Sequence, residues 1–274
     1  MSALGFSVLL SLYHKENFLA LDQCFQSIWK DQTIQPDEII MVLDGPIGEE
    51  LSQCVQKWQR IIGKSLRVIP LSQNVGLGKA LNKGLEHCSN EWVFRMDTDD
   101  IAMPERFEKQ LAVFKKYPDI DVVGAWINEF EDNVSNIKSV RKLPELPDDI
   151  RQFAKRRNPI NHPVVMFRKS AVLAAGGYRH FPLFEDYYLW IRMLMNGAKF
   201  YNIQESLLYF RFSPEMFKRR GGWKYMINEL HFLQMMRQMH FISFSQFMQN
   251  LFVRFSIRLI PNSLRAIIYT KLIR

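Results

Sequence analysis

Four short apolar runs, at residues 6–12, 37–43, 66–71 and 91–96, alternate with helix-periodic stretches at 16–29, 49–62 and 75–87. Strands this short, joined by segments long enough to cross over as helices, predict βαβ units and therefore a parallel sheet covered on both faces. The chain is expected to be α/β, with a mostly parallel central sheet flanked by helices. Sheets of that kind bind their ligands beyond the carboxyl ends of the strands, so the chemistry is to be sought there. With 274 residues and 47% hydrophobic composition, the chain can bury a core for one large domain with an appendage. Cys24, Cys54 and Cys88 are odd in number and far apart. They match no zinc or disulfide spacing and read as small buried hydrophobes, which fits a reducing compartment.

The expected strand ends carry Ser11-Leu12-Tyr13, Asp44-Gly45, Ser72-Gln73-Asn74 and Asp97-Thr98-Asp99-Asp100. Clustered carboxylates repel one another unless a positive charge is shared among them. A solvated acidic loop would need no such charge, but this one directly follows a buried strand. It also leads into a helix start at Met103-Pro104-Glu105-Arg106. That position favours a hard divalent cation shared with a diphosphate. Asn74-Val75-Gly76-Leu77-Gly78-Lys79 lacks the spacing of a phosphate loop, and Leu81 stands where a dinucleotide fingerprint needs its third glycine. Its glycines are read instead as letting the backbone approach a ligand.

Residues 121–130 read as another strand, 140–157 as an exposed connection with a short helix, and 158–167 as a turn followed by a strand. Glu185-Asp186 opens an apolar helix, a place where acids also serve as caps and dipole partners. His14, His87, His180, His231 and His240 form no ligand pattern. His162, between turn and strand, is a candidate substrate contact.

Taken in order, SVLLSLYHKEN, DEIIMVLDG, LSQNVGLGKALNKGLEHCSNEWVFRMDTDDIAMPERFEKQ, NHPVVMFRKSAV and GGYRHFPLFEDYYLWIRM resemble the family 2 glycosyltransferases across roughly residues 6 to 213. The likeness is greatest to bacterial enzymes that build O-antigen, capsule or exopolysaccharide units. The resemblance implies a GT-A nucleotide-sugar fold. Residues 1–213 would be the catalytic domain, with a nucleotide-binding half to about 105 and an acceptor half after it; 214–274 would be a helical tail. It implies Asp44 on the uracil or ribose of a UDP-sugar, with Tyr13 beside the base and Ser11, Asn74 and Lys79 nearby. Asp97 would lie on the ribose side and Asp99 on a Mn²⁺ or Mg²⁺ ion, with Asp100 completing a D-x-D-D form. Asp186, paired with Glu185, would be the base that deprotonates the acceptor. Arg106, His162 and Arg211 are candidates for acceptor or diphosphate contacts, and Lys79, Arg219 and Arg220 for phosphate. The implied reaction inverts the anomeric centre, moving a hexose, UDP-galactose or UDP-glucose favoured, to an undecaprenyl-diphosphate-linked saccharide. One departure stands out: where many relatives carry Arg-x-His, this chain has Arg211-Phe212-Ser213.

Charge is unevenly spread. From Phe217 onward there are ten Lys/Arg and one acid, Glu229, so this segment carries +9 of a formal net +8 and the rest is −1. Phe244, Phe247, Met248, Leu251, Phe252, Phe255 and Leu259 fall on one helical stripe, and a second short helix is expected after Pro261-Asn262. Such a tail either packs on the body or lies on an anionic membrane with its cations toward lipid. Its aromatics line up with aliphatics in a burial pattern, unlike the interleaved aromatics of a nucleic-acid-binding face, so no nucleic acid is expected as a partner. The N-terminal apolar run is too short for a signal or a membrane span. A cytoplasmic protein, peripheral on the inner face of the plasma membrane, is therefore expected. A non-catalytic nucleotide-sugar-binding regulator is the other reading of the same motifs.

Overall fold

The computed structural model describes residues 4–212 and 222–259. Its strands are β1 (Phe6–Leu12), β2 (Glu38–Leu43), β3 (Leu66–Pro70), β4 (Trp92–Arg95), β5 (Ile101–Ala102), β6 (Val122–Phe130), β7 (Ile137–Arg141), β8 (Met166–Arg168) and β9 (Phe200–Arg211). They form one sheet in the order β3-β2-β1-β4-β8-β6-β9-β5, with β7 added to β6. The first four strands are parallel, as the alternation of runs predicts. Beyond β4 the sheet is mixed: β8 runs antiparallel to both β4 and β6, and β9 returns parallel to β6. The expectation of a mostly parallel sheet therefore holds for the nucleotide-binding half only. The order reverses at β1, which has β2 on one side and β4 on the other. That switch point is where an open α/β sheet offers a crevice.

The helices are α1 (Phe18–Phe25), α2 (Glu49–Ile62), α3 (Leu77–His87), α4 (Arg106–Lys116), α5 (Pro147–Phe153), α6 (Lys169–Ala174), α7 (Glu185–Met195), α8 (Gly222–Gln238) and α9 (Phe244–Leu259). Two apolar layers cover the sheet. Phe6, Val8, Leu10 and Leu12 of β1 face α1, α2 and α4 through Leu21, Phe25, Trp58 and Phe107. Leu9 of β1, Ile40 of β2 and Val93 of β4 face the other way, toward Leu81 and Leu85 of α3 and Leu189 and Trp190 of α7. The alternation along β1 is the period-2 consequence of a strand buried on both faces. α3 lies tight on the sheet because Gly84 has no side chain; a Cβ there would overlap Leu9 and come within 3.0 Å of Val42 Cγ2.

α8 belongs to this body, since its Phe232, Leu233 and Met236 are buried in the layer that contains α7. α9 then packs by Phe247, by Asn250 Nδ2 donating to Lys155 O at 2.8 Å, and by Arg254. Arg254 donates to Glu229 Oε1 at 2.8 Å and to Arg156 O at 2.8 Å. It is a structural cation rather than a lipid-facing one. The expected stripe thus divides: Phe247 turns inward, while Phe244, Met248 and Phe252 are exposed. Arg219, Arg220 and the second tail helix lie outside the described residues. Among the described residues no helix is long and apolar enough to cross a membrane.

Candidate active site

The carboxyl ends of β1, β2 and β4 place Ser11, Tyr13, Asp44 and Asp97 on one edge of the sheet. Asp97-Thr98-Asp99-Asp100 forms the turn that leaves β4 beside β1, with Met96 N donating to Leu9 O at 3.1 Å. Potential ligand atoms of Asp97, Asp99 and Asp100 all lie within 4.8 Å of one another. Asp100 is fully buried; one oxygen, Oδ1, accepts from Arg211 N at 2.8 Å, and the other, Oδ2, has no hydrogen-bond partner. Burial, then the Asp97 charge, pushes Asp99 up to about 6. Burial, then Asp99, pushes Asp100 well above the usual carboxylate range. An orphaned oxygen on a carboxylate that, like its neighbour Asp99, resists ionising is chemistry that a hard divalent cation resolves, so these residues fit one.

Two arginines hold the turn. Arg95, 2% exposed at the end of β4, pairs through Nη2 with Asp97 Oδ1, and its Nε and Nη1 have no hydrogen-bond partner. It is the counter-charge beneath the cluster, and the sequence reading did not single it out. Its signal was present, since a charged residue in a buried strand next to an acidic turn needs a partner. Arg211, the last residue of β9, donates Nε to Asp99 O at 2.9 Å and Nη2 to Gln23 Oε1 at 2.7 Å. It braces the acidic turn against α1 through those two nitrogens.

Asp44 also differs from expectation. It is 3% exposed, and its two oxygens accept from Val75 N at 2.7 Å and Gly76 N at 3.1 Å. Asn74 Nδ2 donates to Asp44 O at 3.2 Å. Asp44 therefore shapes the loop before α3 instead of offering a free carboxylate. Gly45 allows this packing: it has φ +90°, and a Cβ there would lie 2.7 Å from Asn74 N. Asn74 and Lys79 remain exposed on that loop and the first turn of α3. Gly78 serves packing, not ligand approach, since its missing Cβ would sit 3.3 Å from Tyr178 Cβ and 3.6 Å from Glu185 Cγ.

That contact brings the start of α7 against the start of α3. Leu183, just before α7, has φ +71°, an uncommon left-handed conformation for leucine that a functional turn can retain. Asp186 accepts from Asn158 Nδ2 at 2.6 Å. Burial, then the carboxylate of Asp186, raises the pKa of Glu185. Asn82 of α3 pins Tyr178, donating Nδ2 to Tyr178 O at 2.7 Å and accepting from Tyr178 N at 2.8 Å. The Tyr178 hydroxyl lies 2.8 Å from His162 Nε2. Burial, then Arg95, holds His162 well below its ordinary pKa, so it is neutral. His162 therefore reaches the site through Tyr178. Neither Tyr178 nor Asn158 was singled out from sequence.

Arg106 is corrected outright. It is 0% exposed, and donates to Arg95 O at 2.6 Å, Met96 Sδ at 3.0 Å and Gln110 Oε1 at 3.1 Å. It locks α4 beneath β4 and is out of reach of any phosphate. Its helical neighbours gave the hint: Phe107, Gln110, Leu111 and Phe114 make one buried face with it.

The comparisons agree with this geometry. The chain is 40% identical over 269 residues to the Escherichia coli UDP-Gal:alpha-D-GlcNAc-diphosphoundecaprenol beta-1,3-galactosyltransferase, covering 98% of this chain and 96% of that one. It is 39% identical over 266 residues to the amylovoran biosynthesis glycosyltransferase AmsE of Erwinia amylovora, covering 97% and 98%. Among solved structures, S. aureus TarS superposes with a TM-score of 0.64 at 18% identity, over 98% of this chain and 46% of that one. The mannosyltransferase PcManGT of Pyrobaculum calidifontis, in complex with GDP-Man and Mn2+, gives 0.62 at 15%, over 87% and 64%. These distant structures share the GT-A nucleotide-sugar fold. The profile of glycosyl transferase family 2 matches residues 7–173. With a mixed sheet opening at the β1–β4 switch, an acidic turn built there, and near full-length likeness to bacterial glycosyltransferases, this chain belongs to glycosyl transferase family 2.

Proposed function

We propose that the protein transfers galactose from UDP-galactose to a sugar carried on a polyprenyl diphosphate, with inversion at the anomeric carbon, in the building of a surface polysaccharide. The observation that carries this reading is that two acidic centres, the Asp97-Thr98-Asp99-Asp100 turn and Glu185-Asp186, flank Tyr178: the charges of Asp97 and Asp186 both act on its hydroxyl, and Glu185 packs with it against Gly78 of α3. The 40% identity to a galactosyltransferase with such a donor and acceptor supports the choice of substrates.

In this reading the uracil lies by Tyr13 and the loop that Asp44 pins, with Ser11, Asn74 and Lys79 around the nucleotide. Asp99 and Asp100 would hold Mn²⁺ or Mg²⁺, which when bound offsets the charge growing on the leaving diphosphate. Arg95 pairs with Asp97 and holds it toward the ribose side. Asp186, oriented by Asn158, takes the proton from the acceptor hydroxyl as its oxygen attacks C1 of the sugar. The C1–O bond to the diphosphate breaks on the opposite face, so an α-linked donor gives a β-linked product. Arg211 occupies the Arg of the family's Arg-x-His, and it braces the turn without a histidine beside it.

The exposed Phe244, Met248 and Phe252 of α9, 63%, 45% and 74% exposed, support seating on the inner face of the plasma membrane, where a lipid-linked acceptor resides. The test is incubation of the purified chain and Mn²⁺ with a panel of UDP-sugars and a GlcNAc-diphosphate-lipid analogue, with the product identified by mass and linkage. A β-linked galactosyl product from UDP-galactose alone is expected. Transfer from a different UDP-sugar, or hydrolysis without transfer, would overturn the choice of substrates.

A further inference from the structure

The segment between α5 and Asn158 reads Ala154-Lys155-Arg156-Arg157. Between it and α9 lies a cleft of about 250 Å³ that the reaction as described does not use. Its polar lining is Asp149, Gln152, Lys155 and Arg156 from the body and Gln246, Gln249 and Asn250 from α9. The main chain here is already satisfied: the carbonyl of Lys155 accepts from Asn250 and that of Arg156 from Arg254. With those carbonyls capped, the groups left to a guest are two cationic side chains, several side-chain amides and the single carboxylate of Asp149, so donors predominate. Such a set suits a multiply charged oxyanion, which accepts hydrogen bonds and gives none.

Position narrows the guest further. Asn158, the donor to Asp186, follows Arg156 by two residues, so their Cα atoms are separated by at most about 7 Å. In an acceptor sugar attached to a diphosphate, one pyranose ring stands between the reacting hydroxyl and the anomeric phosphate. One ring spans about that distance, so a sugar whose hydroxyl meets Asp186 has the reach to set its phosphate at Lys155 and Arg156. The exposed Phe244, Met248 and Phe252 lie on the same helix that supplies Gln246 and Gln249 to the cleft. A polyprenyl chain leaving the phosphate reaches that apolar stripe by passing around α9, where Phe252 stands one turn from Gln249.

We infer that the cleft between α5 and α9 is the binding site for the diphosphate of the lipid-linked acceptor, with Lys155 and Arg156 as its cationic contacts. This rests on the proposed transfer to a polyprenyl-diphosphate sugar. Asp149 is exposed on the same lining and opposes the guest, so affinity here is limited by a carboxylate that a substitution can remove.

The experiment uses the full chain and an unreactive short-chain GlcNAc-diphosphate analogue, titrated directly, beside a GlcNAc carrying a neutral aglycone. The double variant Lys155→Ala/Arg156→Ala is expected to weaken binding of the diphosphate analogue by about a hundredfold, since each lost charge-assisted contact amounts to about a factor of ten. Binding of the neutral analogue and of UDP with Mn²⁺ should change less than about twofold, and the preference for diphosphate should vanish. Asp149→Asn should do the opposite and tighten binding of the diphosphate analogue, a gain that misfolding cannot imitate. Equal weakening for charged and neutral analogues, retained preference in the double variant, or no gain in Asp149→Asn would overturn the assignment. So would a loss confined to phosphatidylglycerol vesicles, which would make the cleft a headgroup surface. Because the titration needs no turnover, a chain that binds the analogue through this cleft but transfers no sugar would refute the proposed reaction and leave the site standing.

Discussion

Replacing Asp99 with Asn should make the metal-free protein more stable. Asp99 is held at about 6 by burial and then by Asp97, against an ordinary value of 3.8. Between those two pH values the folded chain keeps a proton that the unfolded chain has lost. Stability therefore falls as pH rises from 3.8 through 6, and above 6 the whole penalty is present. A shift of about two units at 1.36 kcal/mol per unit gives a ceiling of about 3 kcal/mol. Partial access of solvent to Asp99 brings the expected gain to about 1–2 kcal/mol. Asn has the same shape and cannot ionise, so Asp99→Asn removes that penalty and relieves the repulsion on Asp100 as well. The assay is urea unfolding in EDTA, followed by tryptophan fluorescence, at several values from about pH 4.5 to 7.5, the span in which Asp99 changes charge. The variant should be the more stable at the upper end, with the difference shrinking toward the lower. Saturating Mn²⁺ should reverse the ranking, because a ligand at about a hundred times its Kd adds about 2.7 kcal/mol to a chain that binds it. A variant no more stable than the wild type at neutral pH in EDTA would refute the electrostatic reasoning.

Two further substitutions test the surroundings of the site. Asn158→Ala removes the donor to Asp186 and should lower kcat by about tenfold or more, with the dissociation constant of UDP unchanged; an unchanged kcat in steady-state kinetics would show that the contact does not position the base. Arg95→Met leaves Asp97 without its buried partner and should cost about 2–4 kcal/mol in urea unfolding, with Arg95→Lys between the two; full stability in Arg95→Met would mean that another group balances the cluster.

The nucleotide-binding half was legible because its information is local. Each of β1 to β4 is a short apolar run bounded by turn residues, and α2 falls at the residues where apolar periodicity puts it. The acidic turn was legible for the same reason, since three of its four residues are consecutive or next-nearest acids. The later strands were harder because their order is set by pairings far apart in sequence. β8, only three residues long, finds its place between β4 and β6, and the long strand β9 was not anticipated at all. Charged residues were the least legible. Arg106 and Arg211 look alike in a sequence, yet one is sealed in the core and the other braces a turn. Asp44 was found at the expected strand end, but the backbone amides that occupy it belong to a loop thirty residues on. Asn158 could be recognised only once Asp186 was seen beside it.

The central claim is that Asp186 activates the acceptor hydroxyl beside a nucleotide site built by the β4 turn. Asp186→Asn tests it most directly, measured as UDP binding with Mn²⁺ by calorimetry and as single-turnover transfer from UDP-galactose. UDP affinity should stay within about twofold, while the rate of transfer should fall by about a thousandfold, the usual scale for losing a general base. Transfer within about tenfold of the wild-type rate would show that some other group takes the proton.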